Sequence, residues 1–214
     1  MSEKTPVENA NRNLVWIDCE MTGLDPDVDT LVEVAVLVTD SELNILGDGV
    51  DVVIKPSDAA VTQMNDFVTQ MHTSTGLINE WEQGMTLQDA STVVMDYITT
   101  HCPTPRTALL AGNTVGQDKL FLTKEMPAVT DHLHYRIVDV SSIKELAKRW
   151  FVDAYENAPE KSGNHRALGD IVDSINELRY YRDTIMVPSP GPTAAQAQKI
   201  AGELELYQTA DYAR

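Results

Sequence analysis

One short stretch near the start of the chain, residues 16–24, constrains the fold more than any other. It begins inside an apolar run, residues 14–17, that is typical of a buried strand. Asp18 and Glu20 follow at once, and a Thr-Gly pair then predicts a turn. Because side chains alternate along a strand, residues two apart share one face and lie roughly 7 Å apart. Both carboxylates therefore point to one side of the strand, and Cys19 points to the other.

The two acids of this stretch allow two interpretations. Like charges at this spacing repel each other unless a cation lies between them. A divalent metal ion meets that need, and hard oxygen ligands favour Mg2+ or Mn2+. The alternative is that the strand has reached solvent and that Asp18 and Glu20 are simply hydrated. The stretch by itself leaves both interpretations open.

The length and composition predict one ordinary domain, or one domain with an appendage, in a chain of 214 residues. No apolar run is long enough to span a membrane, and the polar, acidic N-terminus lacks a signal-peptide pattern, so we expect a cytoplasmic protein. Cys19 and Cys102 belong to no metal-binding or disulfide spacing. We expect both to be small buried apolar residues.

The charge balance excludes one class of partner. The chain has 16 basic against 33 acidic residues, a net charge of -17, and no cluster of Lys and Arg. A protein that grips long DNA or RNA needs a basic track to replace the counterions of the phosphates. A very short nucleic acid is compatible with this charge, because bound metal ions can neutralise its few phosphates locally.

The order of predicted elements indicates an α/β fold with a mixed sheet flanked by helices. Strands at about 13–20, 30–39 and 45–55 are expected to be consecutive antiparallel neighbours at one side of the sheet. The other predicted elements are helical pieces within 60–82, helices at 87–101, 115–126 and 166–186, strands at 109–111 and 134–140, and a loop at 153–164. Residues 188–192 read as a Pro-rich linker, so the chain divides into a domain at 1–187 and a C-terminal helical appendage at 188–214.

A third acid, Asp118, follows a predicted strand at the start of a helix, where sites in layered α/β folds tend to form. Helix capping explains the same residues without any site. Thr114 and Gln117 match a capping box, and an acid in the first turn favours the helix dipole. Ser142 and Glu145 match a capping box for a later helix in the same way.

His165 and Asp170 lie at the start of the last long helix. Residues five apart on a helix point about 140° away from each other, so both cannot easily serve one site if both are helical. We therefore expect His165 to lie in the preceding loop and to lean back toward Asp170. The alternative is a surface histidine and a surface acid.

Four sequence blocks together resemble the oligoribonuclease family within the DEDDh class of 3′-to-5′ exonucleases. The blocks are WIDCEMTGL, GNTVGQDKLFL, LHYRIVDVSSIKEL and HRALGDI, in the family's order and spacing, and the similarity runs from about residue 12 to 187. The resemblance implies a ribonuclease-H-like fold, a homodimer and two divalent metal ions, Mg2+ or Mn2+. It also implies hydrolysis of very short RNA, especially dinucleotides.

The resemblance assigns roles to the acids and the histidine. Asp18, Glu20, Asp118 and Asp170 are implied to hold the metals, and His165 is implied to be the general base that takes a proton from the attacking water. In such sites one metal generates and aims the nucleophile, and the other stabilises the leaving oxygen. Gly169 departs from the family, which often has a second Asp there, but the ligand Asp170 is present and activity is expected. If the family's second Asp supports metal binding indirectly, its absence would reduce the affinity for metal.

The resemblance also implies a set of substrate contacts. Leu24 is expected to wedge between two bases, and Phe67 and His72 to flank the terminal base, although the family usually has Trp in place of Phe67. A cap on the 5′ phosphate is implied by hydroxyl, aromatic and basic residues, all but the first expected from the partner subunit: Thr114, Tyr135, Arg136, Ser141 and Ser142. Because a longer chain cannot pass such a cap, it would explain selectivity for very short substrates.

Two other functions remain open on the sequence alone. One is a proofreading-type DNA exonuclease of the same fold, against which the HYR…DVSSIKEL block and the acidic charge argue. The other is a non-catalytic module that binds dinucleotides. The presence of four acids together with His165 argues against that module, because binding alone does not require a general base.

Overall fold

The fold is a five-stranded mixed sheet with helices on both faces. The computed structural model describes residues 12–161 and 166–205. The strands are β1 (Leu14–Met21), β2 (Leu31–Thr39), β3 (Ile45–Val53), β4 (Leu109–Gly112) and β5 (His134–Asp139). Their order across the sheet is β3-β2-β1-β4-β5; β1, β2 and β3 pair in antiparallel fashion, and β4 and β5 run parallel to β1.

The helices cover both faces of this sheet. In chain order they are α1 (Asp58–Gln63), α2 (Asp66–Ser74), α3 (Leu87–His101), α4 (Gly116–Glu125), α5 (Pro127–His132), α6 (Val140–Trp150), α7 (Val152–Glu156), α8 (Ala167–Ile185) and α9 (Ala194–Glu203). Two short 3-10 turns, Leu77–Asn79 and Trp81–Gln83, follow α2. Among the residues that the structure describes, no helix is both long enough and apolar enough to cross a membrane.

The two central strands decide which way each side chain points. Every residue of β2 is buried, as its run of β-branched residues predicts. Along β1, Val15 and Ile17 pack into the apolar layer beneath α3, α4 and α5, whereas Trp16 packs into the layer beneath α6 and α8. Because of this alternation, Asp18 and Glu20 face the side of the sheet that α8 covers.

The predicted strand order and the α/β layered class are confirmed. The three antiparallel strands occupy one side of the sheet, and α3 has the predicted bounds. The predicted loop at 153–164 is wrong at its start, because α7 covers Val152–Glu156.

Both predicted capping boxes in the domain are wrong. The helix α4 follows Val115 and has no side-chain cap, and Thr114 adopts a left-handed φ of 54°. The helix α6 begins at Val140, one residue earlier than Ser141, and its cap is Asp139, whose carboxylate accepts the Ser141 N–H at 3.0 Å. The helix α6 begins directly at the end of β5, whereas at α4 the left-handed Thr114 is followed by Val115 before the helix starts, so neither predicted residue stands at the cap position.

The C-terminal helix α9 is a separate element. It begins with a capping box formed by Thr193 and Gln196, and none of its residues is buried. A proline-containing turn at 188–192 precedes it. The division of the chain at residue 187 stays a prediction.

A candidate metal site beside an apolar groove

Three carboxylates meet where β1 leaves the sheet. Asp18 and Glu20 come from β1, and Asp170 comes from the first turn of α8. One oxygen of each lies within 4.8 Å of the others. The alternation along β1 that the sequence predicted therefore brings the two strand acids to the face where α8 supplies the third.

Asp118 borders this group from the first turn of α4. It is 7% exposed, and its Oδ1 accepts a hydrogen bond from the backbone N–H of Cys19 at 2.9 Å. The hydrogen bond fixes the start of α4 against β1, between the two strand acids. Of the four predicted metal ligands, the structure thus brings three together and places the fourth beside them.

Burial and mutual repulsion make the charged forms of these acids unfavourable. Burial, followed by the nearby charges of Asp118 and Asp170, raises the pKa of Asp18 to about 9. Burial and the charge of Glu33 raise the pKa of Glu20 to about 8. Burial also raises the pKa of Asp118 to about 6, against the lowering effect of its hydrogen bond from Cys19. Such a group of hard oxygen ligands needs either protons or a cation, so it fits a divalent metal ion.

The general base predicted from the sequence cannot be located. His165 lies outside the described residues, so its role stays a prediction. The residue that follows it, Arg166, is described and immediately precedes α8.

An apolar groove of about 380 Å³ adjoins the acids. Glu20 lines it together with Leu24, Phe67 and Met71. Leu24 and Phe67 are 72% and 76% exposed, although both are large apolar residues. The structure therefore brings two of the predicted base-binding residues together, next to the carboxylates.

The turn that carries Leu24 is fixed by residues that the sequence analysis missed. Asp29 accepts hydrogen bonds from the Thr22 hydroxyl at 3.1 Å and from the Asp25 N–H at 3.0 Å. Gln117 donates to the carbonyl of Leu24 at 2.7 Å. A Cβ atom at position 23 would lie 2.3 Å from the Asp29 carboxylate, so any other residue would displace the group that fixes this turn. That glycine was the one available signal in the sequence.

His72 occupies a different place from the groove lining. Its ring is fully buried, its Nε2 lies 2.8 Å from the Met21 carbonyl, and its Nδ1 lies 3.9 Å from Glu20. It also packs edge-on against Trp81. These contacts hold the end of β1, and a direct contact of His72 with substrate stays a prediction.

The predicted phosphate-cap residues fall into two groups. Thr114 and Ser141 of one chain lie together, since the Thr114 N–H donates to the Ser141 hydroxyl at 3.2 Å and to Asp139 at 3.0 Å. Ser142 is exposed on the next position of α6. Tyr135 and Arg136 interact with each other at the other end of β5, where the Arg136 Nε donates to the Tyr135 hydroxyl at 3.1 Å.

Tyr135 and Arg136 lie at a different level of the sheet from the acids of their own chain. The start of β5 is level with Leu109, which pairs with Leu14, whereas Asp18 lies four residues further along β1. At the usual rise per residue that offset is roughly 13 Å, and β4 lies between the two strands. In their own chain, these two side chains are therefore separated from the acids by β4 and by this offset along the strands.

Known proteins share both the sequence and the fold. The exonuclease family model RNase_T matches residues 15–178. The oligoribonuclease of Streptomyces avermitilis is 58% identical over 90% of this chain and 96% of its own length. The oligoribonuclease of Cutibacterium acnes is 55% identical over 92% and 97%. That of Mycobacterium avium is 52% identical over 90% of each chain.

Solved structures share the fold at low sequence identity. Exonuclease I of E. coli, in complex with a dT13 oligonucleotide, has a TM-score of 0.63 and is 14% identical over 79% of this chain. Exonuclease I of Methylocaldum szegediense has a TM-score of 0.57 at 19% identity over 81% of this chain. Both matches span 41% of the larger proteins. The predicted ribonuclease-H-like fold is thereby confirmed.

Without metal, the stability of the protein should fall with rising pH. Burial raises the pKa of Asp18 to about 9, and that of Glu20 to about 8, so the folded state binds protons more tightly than the unfolded chain does. Stability is therefore highest near the unfolded pKa of about 4 and is lost as the pH rises through the folded values. Thermal unfolding in chelator should show a lower Tm at pH 8.5 than at pH 6.

The variant Asp18→Asn should flatten this pH dependence and lose stabilisation by Mn2+. Its Tm in chelator at pH 8.5 should rise, by about 2–4 °C for each kcal/mol of repulsion removed. Asp183→Asn, which changes an exposed acid on α8, is the matched control and should behave as wild type. A metal-free Tm that does not depend on pH would contradict the charge repulsion described above.

Proposed function

The chain belongs to the oligoribonuclease family of 3′-to-5′ exoribonucleases, which act on short RNA, and we propose that its preferred substrates are dinucleotides. The observation that carries the proposal is the position of the groove. An open, apolar space of about 380 Å³ begins at Glu20, so bases placed there would hold their linking phosphate near the carboxylates. The absence of a basic track in a chain with net charge -17 fits a substrate with few phosphates.

Two divalent ions, Mg2+ or Mn2+, are proposed to bind at the acid cluster. Asp18, Glu20 and Asp170 would share the ligand positions, and Asp118 would complete them from α4. When bound, the metals would supply Lewis acidity to the attacking water and to the leaving 3′ oxygen. The family match supports this dependence on divalent metal, and the buried, mutually repelling acids fit it.

His165 is proposed to accept the proton of the attacking water. An imidazole with an ordinary pKa of about 6.5 can accept a proton at neutral pH. In the sequence His165 directly precedes Arg166, which starts the helix that carries Asp170. The acids are unsuited to this task, because their oxygens are the proposed metal ligands.

The groove is proposed to hold the two bases of the substrate. Leu24 projects from its fixed turn and would separate the bases, and Phe67 would stack on the terminal one. Met71, which also lines the groove, would add a polarisable apolar contact with the bases. His72 would help to bind the terminal base indirectly, because its hydrogen bond to the Met21 carbonyl fixes the end of β1 beside the groove.

The cap on the 5′ phosphate is proposed to come from both subunits of a homodimer. Thr114 and Ser141 present neighbouring hydroxyls at the carboxyl end of β4 and the start of α6, and Ser142 is exposed beside them. Ser141 is therefore proposed to contact the 5′ phosphate from the same chain as Thr114, and not from the partner subunit. Tyr135 and Arg136 are proposed to arrive from the partner subunit, for the geometric reason given above.

An exposed apolar patch supports the proposed homodimer. Large apolar side chains are exposed around the junction of α6 and α7: Leu146 is 43% exposed, Trp150 68%, Phe151 43% and Val152 50%. A contiguous patch of this kind is typical of a protein interface. The patch lies on the two elements that follow β5, close in sequence to Tyr135 and Arg136.

Two further aspects of the function are part of the proposal. Residues 1–187 would form the exonuclease domain, and 188–214 a linker and appendage without an assigned role. A cytoplasmic location is also proposed, because the free thiols Cys19 and Cys102 fit a reducing compartment.

Substrate length should decide the rate of cleavage. The protein is incubated with 5′-labelled RNA of about two, five and twenty nucleotides, and with matched DNA, in Mg2+ or Mn2+ and in chelator. We expect metal-dependent cleavage that is fastest on the dinucleotide, because a capped 5′ phosphate leaves no exit for a longer chain. Equal rates on the longest DNA would instead support a proofreading-type DNA exonuclease.

The variant His165→Ala should bind the dinucleotide normally and lose most turnover, by a factor of about 10²–10⁴, as expected for loss of a general base. Binding is measured by calorimetry in Ca2+ and turnover by product release in Mn2+. His101→Ala, at the end of α3 on the opposite face of the sheet, is the control and should retain turnover. Unchanged turnover in His165→Ala would remove the general-base assignment.

The variant Trp150→Glu should dissociate the dimer and reduce cleavage of dinucleotides, since it places a charge in the exposed patch. Sedimentation velocity gives the oligomeric state, and the same samples are assayed for activity. Ile200→Glu on α9, at a position with 61% exposure, is the matched control. A wild-type protein that sediments as a monomer and is fully active would rule out the proposed cap from the partner.

A further inference from the structure

A fifth acid, Glu33, lies on the same face of the sheet as the metal site. It is directly opposite Glu20 in the pairing of β1 with β2, so the two side chains share one face. Glu33 is fully buried, and Asp51 of the edge strand β3, which pairs with Ala35, lies diagonally from it and hydrogen-bonds its side chain. A buried carboxylate in this position requires a partner, and without one it would be free to turn toward a bound cation.

Arg166 is that partner. Its Nε donates to Glu33 Oε1 at 2.8 Å, and one terminal nitrogen lies 2.6 Å from the same oxygen. The other side of the guanidinium bonds both oxygens of Glu80, at 2.7 and 3.2 Å. The planar guanidinium therefore joins two acids from different elements, a geometry that lysine cannot reproduce.

The same contacts hold the first turn of α8. Arg166 immediately precedes the helix, and no side chain of its own segment caps the helix. Glu33 does so from β2, because its Oε2 accepts the N–H of Ala167 at 3.3 Å. The Arg166 carbonyl in turn accepts the N–H of Asp170 at 3.1 Å. A chain of hydrogen bonds thus leads from β2 through Arg166 to the residue that carries the third carboxylate.

We propose that Arg166, clamped between Glu33 and Glu80, is a positioning residue for the metal site. It sets the first turn of α8 against β1 and β2, which places the Asp170 carboxylate within reach of Asp18 and Glu20. It also keeps Glu33 from acting as a further metal ligand, because the two oxygens of Glu33 are already bound to Arg166 and to the N–H of Ala167. This inference rests on the proposed metal-dependent function, in which these acids are the ligands.

The test measures metal binding directly in the full-length protein. Mn2+ is titrated into wild type, Arg166→Met, Arg166→Lys and Glu80→Gln, and free Mn2+ is followed by its electron paramagnetic resonance signal. Arg166→Met should weaken binding by about tenfold or more, as for other residues that orient metal ligands. Arg166→Lys should show a smaller loss than Arg166→Met, because lysine keeps the positive charge. It should not restore binding fully, because an ammonium lacks the planar guanidinium that binds both acids. Glu80→Gln, which weakens only the more exposed ion pair of Arg166, should also weaken Mn2+ binding, by a smaller factor.

Two further measurements separate positioning from general damage. Glu82→Gln breaks the exposed ion pair with Lys55 and is the control that should bind Mn2+ as wild type does. At saturating Mn2+, turnover of a dinucleotide by the Arg166 variants should return to within about threefold of wild type. If Arg166→Met does not fold by circular dichroism, Arg166→Lys and Glu80→Gln carry the test.

The outcomes distinguish this inference from the proposed function. Mn2+ affinities of the Arg166 and Glu80 variants equal to that of Glu82→Gln would overturn the positioning role. A loss of turnover that saturating Mn2+ does not restore would also overturn it. If wild type binds Mn2+ and fails to cleave dinucleotides, the proposed function fails, whereas the binding comparison still decides the role of Arg166.

Discussion

The repulsion among partly buried carboxylates at the end of β1 is the constraint on which the rest of the site depends. Asp18, Glu20 and Asp170 have oxygens within 4.8 Å of one another, and burial raises the cost of their charges. The fold maintains this arrangement because the surrounding apolar layers and the Arg166 ion pairs determine where each backbone segment lies. A bound cation then gains affinity from groups that were already brought together in the apo fold, which is the physical basis of preorganisation.

The apolar groove beside the carboxylates is the second feature that shapes the site. Leu24 and Phe67 are exposed apolar residues, which folding alone does not favour, and the turn that carries Leu24 is held by Asp29 and Gln117. Selectivity for a short substrate can thus come from shape and stacking next to the acids. An acidic protein can handle RNA in this way, since a few contacts and metal ions replace the basic groove that a long strand would need.

Local patterns in the sequence predicted the elements well, and the exceptions lie at the starts of helices. The strand order and the bounds of α3 follow from periodicity and from strand composition. The capping box at Ser142 failed because α6 begins directly at the end of β5 and Asp139, the residue just before it, is its cap. The one at Thr114 failed because α4 begins after Val115 and has no side-chain cap. Likewise, the sequence alone could not reveal Glu33 as the cap of α8, because it lies on a distant strand.

The sequence by itself determined that Asp18 and Glu20 share one face of a strand, that the elements form a layered α/β fold, and that four blocks match one nuclease family. These properties depend on side-chain alternation and on motif order, which are local to the chain. Only the tertiary structure decided how close Asp170 comes to the two strand acids, that Thr114 and Ser141 of one chain adjoin, and that Arg166 is held by Glu33 and Glu80. Such contacts join segments far apart in sequence, so they depend on how the sheet and helices pack and have no local signature.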